Sequence, residues 1–126
     1  MQNETRRMKN IRSELSERLL DFAVAVIKLT TKIEKIAVGR HIAGQLIRSA
    51  TSAGANYEEA CGAESKKDFL HKLQIVLKEL RESSYWLKLV KRAELVSDQY
   101  CDPLMNEAVE LTRIIAKSVI MAKRNR

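Results

Sequence analysis

The sequence predicts an all-α chain folded as an antiparallel up-down-up-down four-helix bundle. Three observations carry this expectation. Glycine and proline number only 4 and 1 in 126 residues, too few for an all-β fold with turns at roughly every 8–12 positions. Leu, Ala, Lys, Arg and Glu, all good helix formers, dominate the rest. Apolar residues recur at alternating spacings of 4 and 3 in separate runs, the period of one helix face. With 45% hydrophobic and 31% charged residues, the chain has the balance of a globular protein. Its length suits one domain able to bury its own core.

Residues 1–10 hold Arg6, Arg7 and Lys9 against Glu4 and read as a flexible basic tail. The bundle then occupies residues 11–123. A first helix over 11–37 places Leu15, Leu19, Phe22, Val26, Leu29, Ile33 and Ile36 on one stripe, and Gly39 just past its end suits a C-cap. The second, over 41–60, carries Ile42, Leu46, Ala50, Ala53, Tyr57 and Ala60 and closes at Gly62. The third, over 66–93, opens with Ser65-Lys-Lys-Asp68, a weak capping box. Its stripe is Phe69, Leu73, Val76, Leu80, Ser83, Leu87 and Val90. The fourth, over 103–123, takes Asp102 as N-cap and Pro103 as first helical residue. Leu104, Ala108, Leu111, Ile115, Ser118 and Ala122 form its stripe. Short connections between long helices make sequential neighbours antiparallel.

One bundle does not use all the apolar surface. The first helix has a second stripe, Leu20, Val24 and Ile27, and the third has Ile75, Trp86 and Leu89 off its main seam. A helix apolar nearly all round is buried on both sides. These six residues either widen the core stripe and leave scattered exposed apolars or, as the preferred expectation, form the interface of a symmetric homo-oligomer.

The second helix differs from the others. Arg48, Ser52, Asn56 and Glu59 stand at spacings of 4, 4 and 3, one above another on a helix face. They form either a solvated polar face or a hydrogen-bonded network that fixes register at a helix or subunit boundary. The surrounding segment, residues 45–60, reads QLIRSATSAGANYEEA. It resembles the signature of the four-helix-bundle proteins encoded in intervening sequences of large-subunit ribosomal RNA genes. Gln45, Arg48, Ser52, Asn56 and Glu59 match that signature's polar positions. Ser65, Lys66, Phe69, Leu70 and the stretch Glu79 to Glu82 fit the wider pattern. Gly54 stands where the family usually has proline, and Ala60 where it usually has glycine. The resemblance implies an up-down bundle assembled as a ring-shaped homopentamer. Related accessory proteins of diversity-generating retroelements are basic pentamers. They imply RNA or DNA, and a reverse transcriptase or other nucleic-acid-handling protein, as partners.

Catalytic patterns are thin. His41 and His71 lack metal-ligand spacing, Cys61 and Cys101 lack a Cys-x-x-Cys partner, and there is no glycine-rich phosphate loop. The expectation is no enzyme, no metal and no cofactor. The first ten residues contain no apolar stretch, and the longest apolar run is Phe22 to Ile27. A cytoplasmic protein with no membrane segment is expected. The net charge is +7. Lys66, Lys67, Lys72, Lys78 and Arg81 on the third helix, with Arg113, Lys117, Lys123 and Arg124 near the C-terminus, are the expected nucleic-acid contacts. Such charges bind phosphate backbones without reading sequence. The expected function is a non-catalytic, basic scaffold for nucleic acid. The alternative is a protein–protein adaptor with no nucleic-acid role.

Overall fold

The computed structural model describes residues 2–124, which form helices α1 (Gln2–Thr30), α2 (Ala37–Cys61), α3 (Lys66–Arg92) and α4 (Asp98–Arg124). Each helix packs on the next, and α4 closes the ring against α1. The backbones of the diagonal pairs stay apart. Cross-helix contacts give the directions. His41, Arg48 and Glu59 of α2 meet Trp86, Glu79 and Lys72 of α3, so one number rises as the other falls. Gly54 lies against Leu19, while Gly39 lies against Ile33 in the turn just past α1; Arg18 of α1 and Lys32 of that turn meet Glu107 and Tyr100 of α4. The four-helix bundle is therefore antiparallel along its seams, as the spacings predict.

The predicted stripes form the core. Leu19, Leu46, Leu73, Leu80, Leu87, Leu111 and Ile115 are fully buried, each contributing roughly 1.5–3 kcal/mol of burial free energy. The largest side chains come from all four helices and fill the space between them.

The helix limits differ from the expected ones in four places. Residues 2–10, expected outside the bundle's helices, continue α1; Gln, Glu, Arg, Met and Lys among them favour a helix and neither Gly nor Pro interrupts it. All of them are exposed; Met1 lies outside the described residues. α1 stops at Thr30, not near residue 37. A turn follows, with the amides of Ile33 and Glu34 both donating to the Thr30 carbonyl. The buried stripe runs on through Ile33, whereas Ile36 is exposed. Gly39 is not a C-cap but the third residue of α2. A Cβ there would lie 1.8 Å from the Ile33 carbonyl oxygen, so the tight passage from turn to helix requires glycine. α4 begins at Asp98, five residues before the expected start, and Pro103 lies within it. Proline has no N–H for the Gln99 carbonyl, but Gln99 is in the exposed first turn.

The remaining ends follow their chemistry. Ser65 caps α3 by accepting from the Asp68 amide at 3.0 Å. Gly62 closes α2 through its amide, which donates to the Glu58 and Glu59 carbonyls. At the end of α3, the Leu95 amide donates to Val90 and the Glu94 amide to Lys91. That is a Schellman pattern, with Glu94 at a left-handed φ of 56°.

Candidate nucleic-acid interface

Three surfaces stand out once the bundle is assembled. The first is the polar seam between α2 and α3. Arg48 forks across it, donating from Nη1 to Glu79 Oε2 at 2.9 Å and from Nη2 to Glu82. Glu79 is buried, so its carboxylate depends on this partner. Hydrogen bonds from Arg48 and from Trp86 Nε1 hold the Glu82 carboxyl below its usual range. Beneath them the buried hydroxyls of Ser49 and Ser83 meet at 2.8 Å.

The predicted ladder is therefore not one chain of contacts. Arg48 belongs to this seam. Asn56 Nδ2 donates to both the Ser52 hydroxyl and the Ser52 carbonyl, within α2 alone. Glu59 reaches Lys72 of α3 at 3.6 Å, one end of the bundle away from Arg48. Glu79, Glu82, Ser49 and Ser83 complete the arrangement. Glu79 and Ser83 occupy the apolar stripe's own face, where a polar side chain is a signal that a partner stands opposite.

The second surface is apolar. Leu20, Val24 and Ile27 lie on an outer flank of α1, off its buried face, with 56%, 43% and 45% of their surface exposed. The other three expected interface residues differ. Trp86 and Leu89 are half-buried against the chain's own core, and Ile75 is half-buried. Trp86 and Leu89 thus widen the core stripe of α3, while the off-seam residues of α1 do not widen theirs.

The third surface is basic. At 100° per residue, positions 67, 71, 74, 78, 81, 85, 88 and 92 line the side of α3 opposite its core face, and every one is exposed. They are Lys67, His71, Gln74, Lys78, Arg81, Tyr85, Lys88 and Arg92, with no acid among them. Lys72 is off this face and engaged with Glu59. Lys91 is also off it, paired with Asp102 at 2.6 Å. Lys66 is exposed at the first residue of α3. On α4, Lys117, Lys123 and Arg124 are exposed, and Arg113 pairs with Glu110 one turn earlier at 3.1 Å. Antiparallel packing brings the ends of α4 and the starts of α1 and α3 to one end of the bundle. There Arg12 lies 5.1 Å from the centroid of the Phe69 ring.

Among the described residues, no group of three or more His, Cys, Asp and Glu could hold a metal ion. Cys61 and Cys101 form no disulfide. Cys101 is buried with Sγ 3.3 Å from the Leu87 carbonyl, and burial pushes its thiol up, away from the reactive thiolate. Among the described residues no helix is long and apolar enough to cross a membrane.

The sequence model of the 23S rRNA-intervening sequence protein family matches residues 12–117. The chain belongs to that family. The match spans the polar seam and most of both outer faces of the bundle. A solved structure from Bacteroides thetaiotaomicron, described as a protein of unknown function from the S23 ribosomal protein family, is similar to it. The two share 32% sequence identity at a TM-score of 0.78, over 83% of this chain and 97% of that one. No curated protein matches the chain.

Proposed function

We propose that the protein is a non-catalytic, homo-oligomeric scaffold that binds the phosphate backbone of nucleic acid. The observation that carries this reading is the acid-free outer face of α3. Lys67, Lys78, Arg81, Lys88 and Arg92 are all exposed there, over about 37 Å of helix. Aligned cations release condensed counterions on meeting a polyphosphate, which gives tight binding without sequence preference. The exposed Leu20, Val24 and Ile27 stripe supports self-association, and the pentameric ring is the assembly this reading adopts. Several copies multiply the field and the number of phosphates met at once.

The test is direct. Affinity for a labelled oligonucleotide falls at least tenfold between about 50 and 200 mM salt. A Lys78→Glu, Arg81→Glu double variant weakens it further and flattens the salt dependence. A wild-type protein that ignores oligonucleotides at low salt overturns the reading and leaves the adaptor role.

A further inference from the structure

One residue of the basic face is not a cation. Tyr85 stands in the middle of the stripe, 59% exposed. Arg81 precedes it by four residues and Lys88 follows by three, so both are its neighbours on the helix surface. Lys78 and Arg92 lie two turns away on either side. The ring is buttressed from within. Trp86 meets it edge-on, with centroids 5.2 Å apart and planes at 77°. Trp86 is in turn fixed by its Nε1 donating to Glu82 at 3.1 Å, and by an edge contact with His41 at 6.2 Å. Glu82 is held by Arg48. The α2–α3 seam thus positions an aromatic ring whose outer surface is open to solvent.

An exposed aromatic ring among cations has a specific use. The cations hold phosphates, and the ring supplies a surface on which an unpaired base stacks. A duplex keeps its bases stacked inside and offers the ring nothing. We propose that the outer face of α3 binds single-stranded nucleic acid, with a base stacked on Tyr85 and the flanking phosphates on Arg81 and Lys88. This rests on the nucleic-acid reading above and narrows it to unpaired strands. Stacking tolerates any base, so binding has no sequence preference.

The experiment measures fluorescence anisotropy with an oligouridylate about 20 nucleotides long, its DNA counterpart and a duplex of equal length. Wild type, Tyr85→Ala, Tyr85→Phe and Lys78→Glu, Arg81→Glu are compared at one salt concentration. Tyr85→Ala is expected to lose roughly 5- to 100-fold in affinity for the single strands. Tyr85→Phe keeps the ring and stays within about twofold of wild type, and duplex binding is the same in all three. Equal loss on RNA and DNA supports stacking; loss on one alone still supports it and names the strand. If Tyr85→Ala binds single strands like wild type while the charge-reversed variant fails, stacking is overturned and the basic scaffold stands. If wild type binds none of the probes, both readings fall. The mass of Tyr85→Ala in solution is measured alongside. A smaller assembly than wild type marks Tyr85 as a subunit contact and overturns the proposal.

Discussion

Gly39 and Gly44 lie five residues apart on α2 and make opposite demands. A Cβ on Gly39 would collide with the Ile33 backbone oxygen at 1.8 Å, an atom with no flexible side chain to yield. A Cβ on Gly44 would meet nothing within 4 Å. Gly39→Ala is therefore expected to cost about 2–4 kcal/mol, because the turn over 31–36 must open to admit a methyl group. Gly44→Ala removes chain entropy from the unfolded state and gains about 0.5–1 kcal/mol. Urea unfolding of both variants reads the two signs in one experiment, since a change in midpoint at constant slope is a change in stability. Two shifts in the same direction would show that glycine content alone, not the Ile33 contact, governs this stretch. The pair also shows why one residue type cannot be read from sequence with one rule. Gly39 looks like a helix stop at its position in the chain, and only the folded turn shows it as a close approach.

Between helices, the α2–α3 seam sets register. Glu79 has 7% of its side chain exposed and Arg48 as its ion-pair partner. Arg48→Met strands that carboxylate and is expected to cost about 2 kcal/mol, less than the 3–5 of a fully buried pair because the guanidinium is half in water. Glu79→Gln in the same chain recovers most of the loss. The pH dependence follows from Glu82, whose carboxyl is held below its ordinary value of 4.5. A lowered folded-state pKa stabilises above the unfolded value and is lost as pH falls through the folded one. Wild type therefore loses this contribution as pH drops below about 4.5, and Arg48→Met, which lacks the larger part of it and keeps only the Trp86 hydrogen bond, declines less. Urea midpoints at neutral pH and near pH 3.5 check this; a constant gap between the two proteins would remove the argument. Much of this level was legible beforehand. Leu46, Ala50, Ala53 and Tyr57 are buried as their spacing predicts, because a periodic apolar stripe has one place to go. Arg48 also needed partners from another element, as its distance from Glu59 on the helix requires. The partners themselves were not legible, since nothing local says which carboxylates of α3 stand opposite. The α4 stripe drifts too: Val119 is buried where Ser118 and Ala122 were expected. Ser118 falls two heptads after Leu104, where a seven-residue repeat lags a straight helix by about 40°. The outer face of α3 escaped for another reason. Charge composition alone sets Lys72 beside Lys78; only angle around the helix separates them and puts Tyr85 among the cations.

Across the whole molecule, the two unassigned faces point apart. α1 and α3 are diagonal in the bundle; the basic stripe of α3 lies opposite its core face, and the apolar stripe of α1 lies on an outer flank of its helix. In a ring each Leu20, Val24 and Ile27 stripe packs on a different patch of the next protomer; where that patch is not the outer face of α3, Lys78, Arg81, Tyr85 and Lys88 stay uncovered. Self-association and polyanion binding are then separable by mutation. Leu20→Glu with Val24→Glu places two charges on the apolar stripe without touching the core, so helix content and unfolding midpoint stay near wild type. The sedimenting mass is expected to fall to one chain at micromolar concentration. Each released protomer keeps its basic face, so affinity for a strand about 10 nucleotides long changes little. A strand long enough to reach several protomers loses its avidity, roughly 10- to 100-fold. Sedimentation and anisotropy on the same samples decide the matter. Wild type that already sediments as one chain at about 100 µM removes the shared interface, since burial of about 800 Å² per partner normally holds such an assembly together. Equal loss on short and long strands would instead place part of the nucleic-acid contact on α1, and the separation of the two faces would fail.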